Sequence, residues 1–554
     1  MRNHPPPASV SLFRSPFMPT HRFNAFVLFA SLAATALLIS SCGGDSDSGS
    51  DGPSSSELPV VHAVGDLVSG KQVFRFETFG NEGFWTDAVR LQQGVVAAGV
   101  TPIQALKLGL MVDVEALDAA TQAAIAAEVK TDLSPANAPL LNSAATTVKL
   151  INANAIVGIV AKDSANAGTI DILKGSKTGA TCALCHTITD ASVFNLPGGG
   201  SIGKRLDGRA NHNLNFGTLL ATALNSRAYY PVLQLALNAN GGKTLGRAPT
   251  GLTPTSTEAQ VDAYLSNPAH YPVGTFDDTP DGNGDPMHNS ALFRTDLAAP
   301  WGTEGGIARL DNFSNLVYTA LLDPTNLTTA GGRAFLRKLG GTAAGNEIVD
   351  GYLQVLAATG VTGYPYLKAA ASPAAGTEDA PLGIRVDNAK LLDMNAYLNS
   401  LQAPAGVVTD AAAAARGRDL FRNNCTGCHN VDQGRPVPAF IVAMKTIFPG
   451  DNPVTLLAQR DPPLNPILDT PGSIFDDKMA VVNASQRGSI RGTALPLLLD
   501  LARKPNFLHD NSVPSLDNLL NPTRGALAPH PFYFSDKAQR DDMTEFLRGL
   551  SVSR

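Results

Sequence analysis

Apolar residues along most of this chain recur three and four positions apart, in short segments separated by loops rich in Gly, Pro and Asn. No long run alternates strictly between apolar and polar, so the pattern argues for packed helices and against a large sheet. Helices are predicted over 86–98, 101–112, 118–129, 215–237, 257–265, 331–339 and 346–359. The second opens on Thr101 as a cap with Pro102 in the first turn. The stretch 65–83 is marked by aromatic residues, with Phe74, Phe76 and Phe79 leading to Phe84 and Trp85.

Part of the pattern occurs twice. Asp296-Leu297-Ala298 and Leu310-Asp311-Asn312-Phe313 return as Asp500-Leu501-Ala502 and Leu516-Asp517-Asn518-Leu519. The apolar positions Met394, Tyr397, Leu398 and Leu401 return, equally spaced, as Met543, Phe546, Leu547 and Leu550. One match could be chance, but several in one order read as a degenerate duplication. It predicts two related helical domains, 59–402 and 403–554, with the join near 402–408 and the first enlarged by loops and extra helices. In the second, Asp410 starts a helix running through Gly417, Leu420 and Phe421, and the chain ends on a helix over 535–550 capped by Ser535.

Length and composition add bounds. The chain has 554 residues, 44% of them hydrophobic, enough for two or more packed domains. Its 42 basic and 48 acidic residues give a formal charge of -6, too weak and of the wrong sign for a nucleic-acid partner. Arg14, His21 and Arg22 precede an apolar stretch over 23–39 that closes on Ser40-Ser41-Cys42. This is the layout of a lipoprotein export signal over 1–41, too short to span a bilayer comfortably, with Cys42 as the lipid attachment point. Residues 43–57 are rich in Gly, Ser and Asp and extend a flexible tether over 42–58. The expected location is the cell envelope, anchored to a membrane at the periplasmic face or in the outer membrane.

The remaining four cysteines carry the chemistry. They fall in Cys182-Ala183-Leu184-Cys185-His186 and Cys425-Thr426-Gly427-Cys428-His429. Two thiols at this spacing form thioethers with the vinyl groups of a haem, and the following histidine turns onto the iron. The alternatives are a dithiol redox site, which has no use for the histidine, and a zinc site built from both pairs. Two covalent haem c groups are the expectation, with His186 and His429 as proximal ligands, each orienting its other ring nitrogen onto a backbone carbonyl in loops shaped by Pro197 and Pro438. Distal ligands are not written in a short motif. His212 is the candidate for the first iron; His530, Met479 and His509 compete for the second, with Met444 behind them. Trp301 reads either as a conduit between the haems or as a packed core residue. Asp323 and Glu304 are candidate acids or plain solvated carboxylates. Asp281, Asn283 and Asp285 sit in an Asp/Asn/Gly run that could hold calcium, although the closing glutamate of an EF-hand is missing.

Taken with both motifs, Phe507-Leu508-His509-Asp510-Asn511-Ser512-Val513 resembles the Phe-His-Asp-Gly-Ser-Val stretch of the bacterial di-haem cytochrome c peroxidase superfamily, with Asn511 in place of its glycine. That superfamily includes tryptophylquinone-forming relatives and, more distantly, di-haem rubber oxygenases. Leu398-Asn399-Ser400-Leu401, with Pro404 after it, is similar to the end of the family's first domain. Farther upstream, the runs 78–85 and 203–209 resemble a larger, uncharacterised group of exported cytochromes. The resemblance implies two haem domains, and in the peroxidases a methionine after the His-Asp pair ligates the electron-entry haem. The matching stretch here, 519–531, contains no methionine, which makes His530 the substitute. Two functions stay open. One is an electron carrier exchanging electrons with redox partner proteins or small donors and acceptors. The other is a peroxidase-like or oxygenase-like enzyme using peroxide or dioxygen at the first haem.

Overall fold

The computed structural model describes residues 65–234, 251–278, 286–298, 301–302, 307–429, 435–436, 438–439, 441–443, 467, 478–480, 493–494, 496–508, 511–526, 528 and 530–551. The fold is mainly α, with 44% of the described residues in helix and 10% in strand. Strands occur among the described residues only in small sheets of two or three. No described helix is long and apolar enough to cross a membrane. Residues 59–554 form one compact unit. Its apolar interior divides into a large cluster drawn from Val73 through Leu398, a smaller one around Leu336 and Val349, and one from Phe421 to Leu550.

Two helix pairs organise the described chain. Near the C-terminus, Ala411–Asn424 packs along Lys537–Gly549. Near the N-terminus, Leu67–Phe76 packs along Asn388–Ser400 in the same manner. Each crossing rests on a glycine: a Cβ on Gly417 would fall 2.0 Å from the Asp542 carbonyl oxygen, and one on Gly70 would fall 1.9 Å from that of Asp393. Only hydrogen fits there. Four residues on, Phe421 meets Phe546 with ring centres 5.4 Å apart, and Phe74 meets Tyr397 at 5.8 Å, both pairs inclined at 52°. The repeat is thus longer than the sequence reading found, because Gly70-Lys71-Gln72-Val73-Phe74-Arg75 matches Gly417-Arg418-Asp419-Leu420-Phe421-Arg422.

The turns before the closing helices match as well. Trp301 pairs with Ile307 as Phe507 pairs with Val513. Leu322-Asp323-Pro324-Thr325 and Leu520-Asn521-Pro522-Thr523 each open a short 3-10 helix in which the Asp or Asn side chain accepts the threonine N–H. Asp323 is buried and takes the N–H groups of Thr325, Tyr366 and Leu367 at 3.1, 2.9 and 2.8 Å, with the Thr325 hydroxyl besides. Burial pushes its carboxyl above the ordinary aspartate range against the pull of those donors. It is a structural clasp, neither an acid in an open pocket nor a solvated carboxylate.

Helices capped as expected include Ala119–Glu128 behind Asp118, Glu258–Leu265 behind Thr257, and Pro102–Lys107, where Thr101 and Gln104 cap reciprocally. Ala330–Gly340 and Thr342–Ala358 cover the two helices predicted before the join, the second starting four residues early. Others are shorter than their periodicity suggests. The 86–98 helix is divided at Arg90, whose left-handed backbone (φ 62°) leaves its guanidinium donating to the Thr359 carbonyl at 2.8 Å. The 101–112 helix stops at Leu108, before Gly109 at φ +79°, and the chain then forms a strand over Val112–Asp113. Over its described part the 215–237 helix becomes Phe216–Leu220, Ser226–Tyr229 and Tyr230–Gln234, interrupted at Asn225, whose side-chain amide donates to the Ala88 carbonyl, and 235–237 lie outside the described residues. The last helix is capped by Asp536, one residue after Ser535. In each case tertiary hydrogen bonds or backbone freedom override a local preference.

Candidate functional site

The second motif continues directly from its helix. Ala411–Asn424 ends with Cys425 as its C-cap, and the His429 N–H donates to the Cys425 carbonyl at 2.9 Å, one further turn that places both thiols and the imidazole on one side. The first motif makes the same turn, the His186 N–H donating to the Cys182 carbonyl at 3.1 Å. Its place in the chain differs. Cys425 follows Gly417 by eight residues, whereas Cys182 follows Gly70 by 112.

Three hydrogen bonds close this detour. The Asn81 side chain donates to the Ala180 carbonyl at 2.9 Å and accepts the Ala180 N–H at 3.1 Å, and the Thr181 hydroxyl donates to the Arg75 carbonyl at 3.2 Å. Gly179 is required beside them, since a Cβ would lie 2.5 Å from Asn81 Oδ1. The chain therefore leaves the first helix near Thr78 and returns beside its last turn, setting Cys182 where Cys425 stands in the second half.

Around the first motif, His186 Nδ1 lies 2.6 Å from the Ser290 carbonyl oxygen. That contact makes Nδ1 the protonated nitrogen and leaves Nε2 for a metal. The carbonyl comes from a loop far downstream and not from the neighbourhood of Pro197, which sits in the turn closed by the Gly199 N–H on the Leu196 carbonyl. Asn289 fixes the Ser290 loop, its N–H donating to the Gly274 carbonyl at 2.7 Å and its side chain to the Asn211 carbonyl at 2.9 Å. Asn211 in turn donates its N–H to the Cys185 carbonyl at 2.8 Å. Tyr318 Oη lies 3.5 Å from Cys182 Sγ and donates to the Glu77 carbonyl at 3.2 Å. Tyr318 belongs to a π-helical turn, Val317–Leu322, with no counterpart among the described residues of the second half, and its ring meets Phe79 edge-on at 4.6 Å. Sequence reasoning missed Ser290, Asn289 and Tyr318; none stands in a motif, and only the fold brings them to Cys182–His186.

Around the second motif, the ring centres of His429 and His530 are 6.4 Å apart. That spacing would let both imidazoles reach one iron held between them. His530 Nδ1 is buried without a hydrogen-bond partner. Burial, followed by the neighbouring His530, draws His429 down to about 4, and burial with Arg524 does the same to His530. Both are thus neutral, as ligands must be. The residues present fit haem c.

Burial pushes the thiols of Cys182 and Cys428 up, and that of Cys425 up to about 12. A dithiol redox site needs the opposite shift, so these environments suit thiols consumed by attachment. None of the four forms a disulfide. Among the described residues, no cluster of three or more His, Cys, Asp or Glu is arranged to hold a bare metal ion.

Other predicted residues fall elsewhere. His212 follows Asn211 and lies within electrostatic reach of Lys504; burial first and that cation second bring it down to about 4. Among the described residues, no imidazole is paired with His186 as His530 is with His429. Trp301 stacks on Phe313 at 6.2 Å. Met479 lies in a strand over Lys478–Ala480, its side chain outside the described residues. His509, Met444, Glu304, Cys42 and the run with Asp281, Asn283 and Asp285 lie outside them altogether.

Comparison with known proteins adds little to this geometry. No family model and no curated protein matches the chain. Among solved structures, hydrazine synthase of Kuenenia stuttgartiensis aligns over 59% of this chain and 88% of its own, at 13% identity and a TM-score of 0.24. A likeness that low carries no argument about fold or function.

Proposed function

We propose that this protein is a di-haem c-type cytochrome whose work is electron transfer. The observation that carries the reading is the approach of His530 to His429, on a motif that already offers two thiols. Cys182 and Cys185, and Cys425 and Cys428, would hold the two haems as thioethers, with His186 and His429 on the irons. Bound there, haem c supplies a one-electron couple. His530 would fill the remaining position of the second iron and leave it no room for substrate, which suits a carrier. The buried aromatic and apolar residues packed beside the motif, Phe421 and Phe546 among them, would exclude water from that site.

A second reading, a peroxidase-like or oxygenase-like enzyme acting on peroxide or dioxygen at the first haem, is favoured by the asymmetry between the motifs. The first has no described imidazole in the place of His530. Paramagnetic resonance and absorption spectra of the oxidised protein separate the two readings. Two low-spin haems support the carrier; one low-spin and one high-spin haem support the enzyme.

Export and anchoring belong to the same proposal. Lipidation of Cys42 would place the haems in the cell envelope, within reach of periplasmic or extracellular redox partners. Cys42→Ser should yield soluble protein or accumulated precursor, and a processed variant still bound to the membrane would overturn the assignment.

A further inference from the structure

The first motif has a lysine beside its supporting loop, contributed by the other half of the repeat. Lys504 Nζ lies 3.3 Å from His288 Nε2 and 5.8 Å from the centre of the Phe507 ring. His288 is two residues before Ser290, whose carbonyl holds His186. Lys504 belongs to the second half of the repeat, in the connection between Asp500-Leu501-Ala502 and Phe507. The first-half equivalent, from Asp296-Leu297-Ala298 to Trp301, is two residues shorter and has Ala299-Pro300 where the longer one has Arg503-Lys504-Pro505-Asn506. Arg503 is neutralised by Asp500 at 2.5 Å, but no carboxylate among the described residues pairs with Lys504. The second half therefore places an ammonium, drawn down to about 8 by burial and with no carboxylate on it among the described residues, against the loop that orients the first half's proximal histidine.

We propose that Lys504 is a positioning and charge-setting residue for the first haem, raising its reduction potential from the other half of the chain. The inference rests on the di-haem reading above. Reduction adds an electron to the site, so a partly buried positive charge nearby favours the reduced state, and more strongly than an exposed one would. The ammonium also donates to His288 and helps hold the loop that ends in the Ser290 carbonyl, the second contribution to the iron's electronics. The consequence is directional: the ammonium makes the first haem a better electron acceptor than it would be without it.

The test is a spectroelectrochemical titration of the full-length holoprotein against Lys504→Gln and Lys504→Arg, with haem content measured on the same samples. A variant lacking Cys182 and Cys185 identifies which wave belongs to which haem. With two haems retained, Lys504→Gln should move the first haem's wave to lower potential, leave the second in place, and be rescued by Lys504→Arg. Unmoved waves in Lys504→Gln, or a shift confined to the second haem, would overturn the proposal. If Lys504→Gln fails to fold, His288→Gln, which keeps the ammonium but removes the imidazole contact, should lower the first wave by a smaller amount; an unchanged wave there counts equally against it. Fewer than two haems in the wild-type protein would instead undo the di-haem reading itself.

Discussion

At the scale of single residues, the two histidines of the second site and the clasp at Asp323 make separate demands. Replacing His530 with Ala removes the ring 6.4 Å from His429 and should convert one haem to high spin while two haems remain attached. An unchanged low-spin spectrum, with a sulfur-to-iron band lost in Met479→Ala, would pass the role to Met479. Asp323→Ala strands three buried N–H groups and a hydroxyl and should cost about 2–4 kcal/mol of unfolding free energy in urea. The proximal histidines were legible because covalent attachment fixes their spacing. Ser290 and Tyr318 were not, because a backbone carbonyl has no side-chain signature and a buried tyrosine looks like any core aromatic.

Between helices, the glycine crossings carry the packing. Gly417→Ala and Gly70→Ala each drive a methyl group into a carbonyl oxygen, and each should lower stability by about 1–3 kcal/mol, measured by thermal or denaturant unfolding. A variant as stable as wild type would show that the helices separate at no cost. Glu545 fastens the same pair from the other side: its carboxylate accepts the Asp410 N–H at 2.7 Å, the Thr409 hydroxyl at 2.8 Å and the Thr409 N–H. Those donors, the Asp410 and Thr409 N–H groups first, hold its carboxyl below the usual glutamate range. A lowered folded-state value means the stabilisation is complete above the unfolded value, 4.5, and is lost as pH falls through the folded one. Glu545→Gln should therefore flatten the acid side of the stability profile in denaturant titrations and leave it little changed in shape above pH 6. Helix existence was legible in these elements, but their lengths were not. Arg90, Gly109 and Asn225 end helices through backbone freedom or through partners distant in sequence.

For the whole molecule, the repeat in the sequence was recognised from its closing helices, and its opening helix was overlooked because the motif it should lead into stands 112 residues after Gly70. If the two halves are independent sites, replacing both Cys182 and Cys185 with Ser should give protein with one haem and an unaltered second-haem spectrum; loss of both would show that the second cannot be loaded alone. The detour between Arg75 and Thr181 bears on how such a protein is made. During synthesis the Cys182–His186 segment appears well before Asn388–Ser400, the partner of its opening helix, by on the order of 10–40 s at about 5–20 residues per second. The corresponding wait between Cys425–His429 and Lys537–Gly549 is roughly half as long. An attachment enzyme meeting the nascent chain would thus find the first pair of thiols exposed for longer, and a pulse-chase with haem-peroxidase staining should show it occupied before the second.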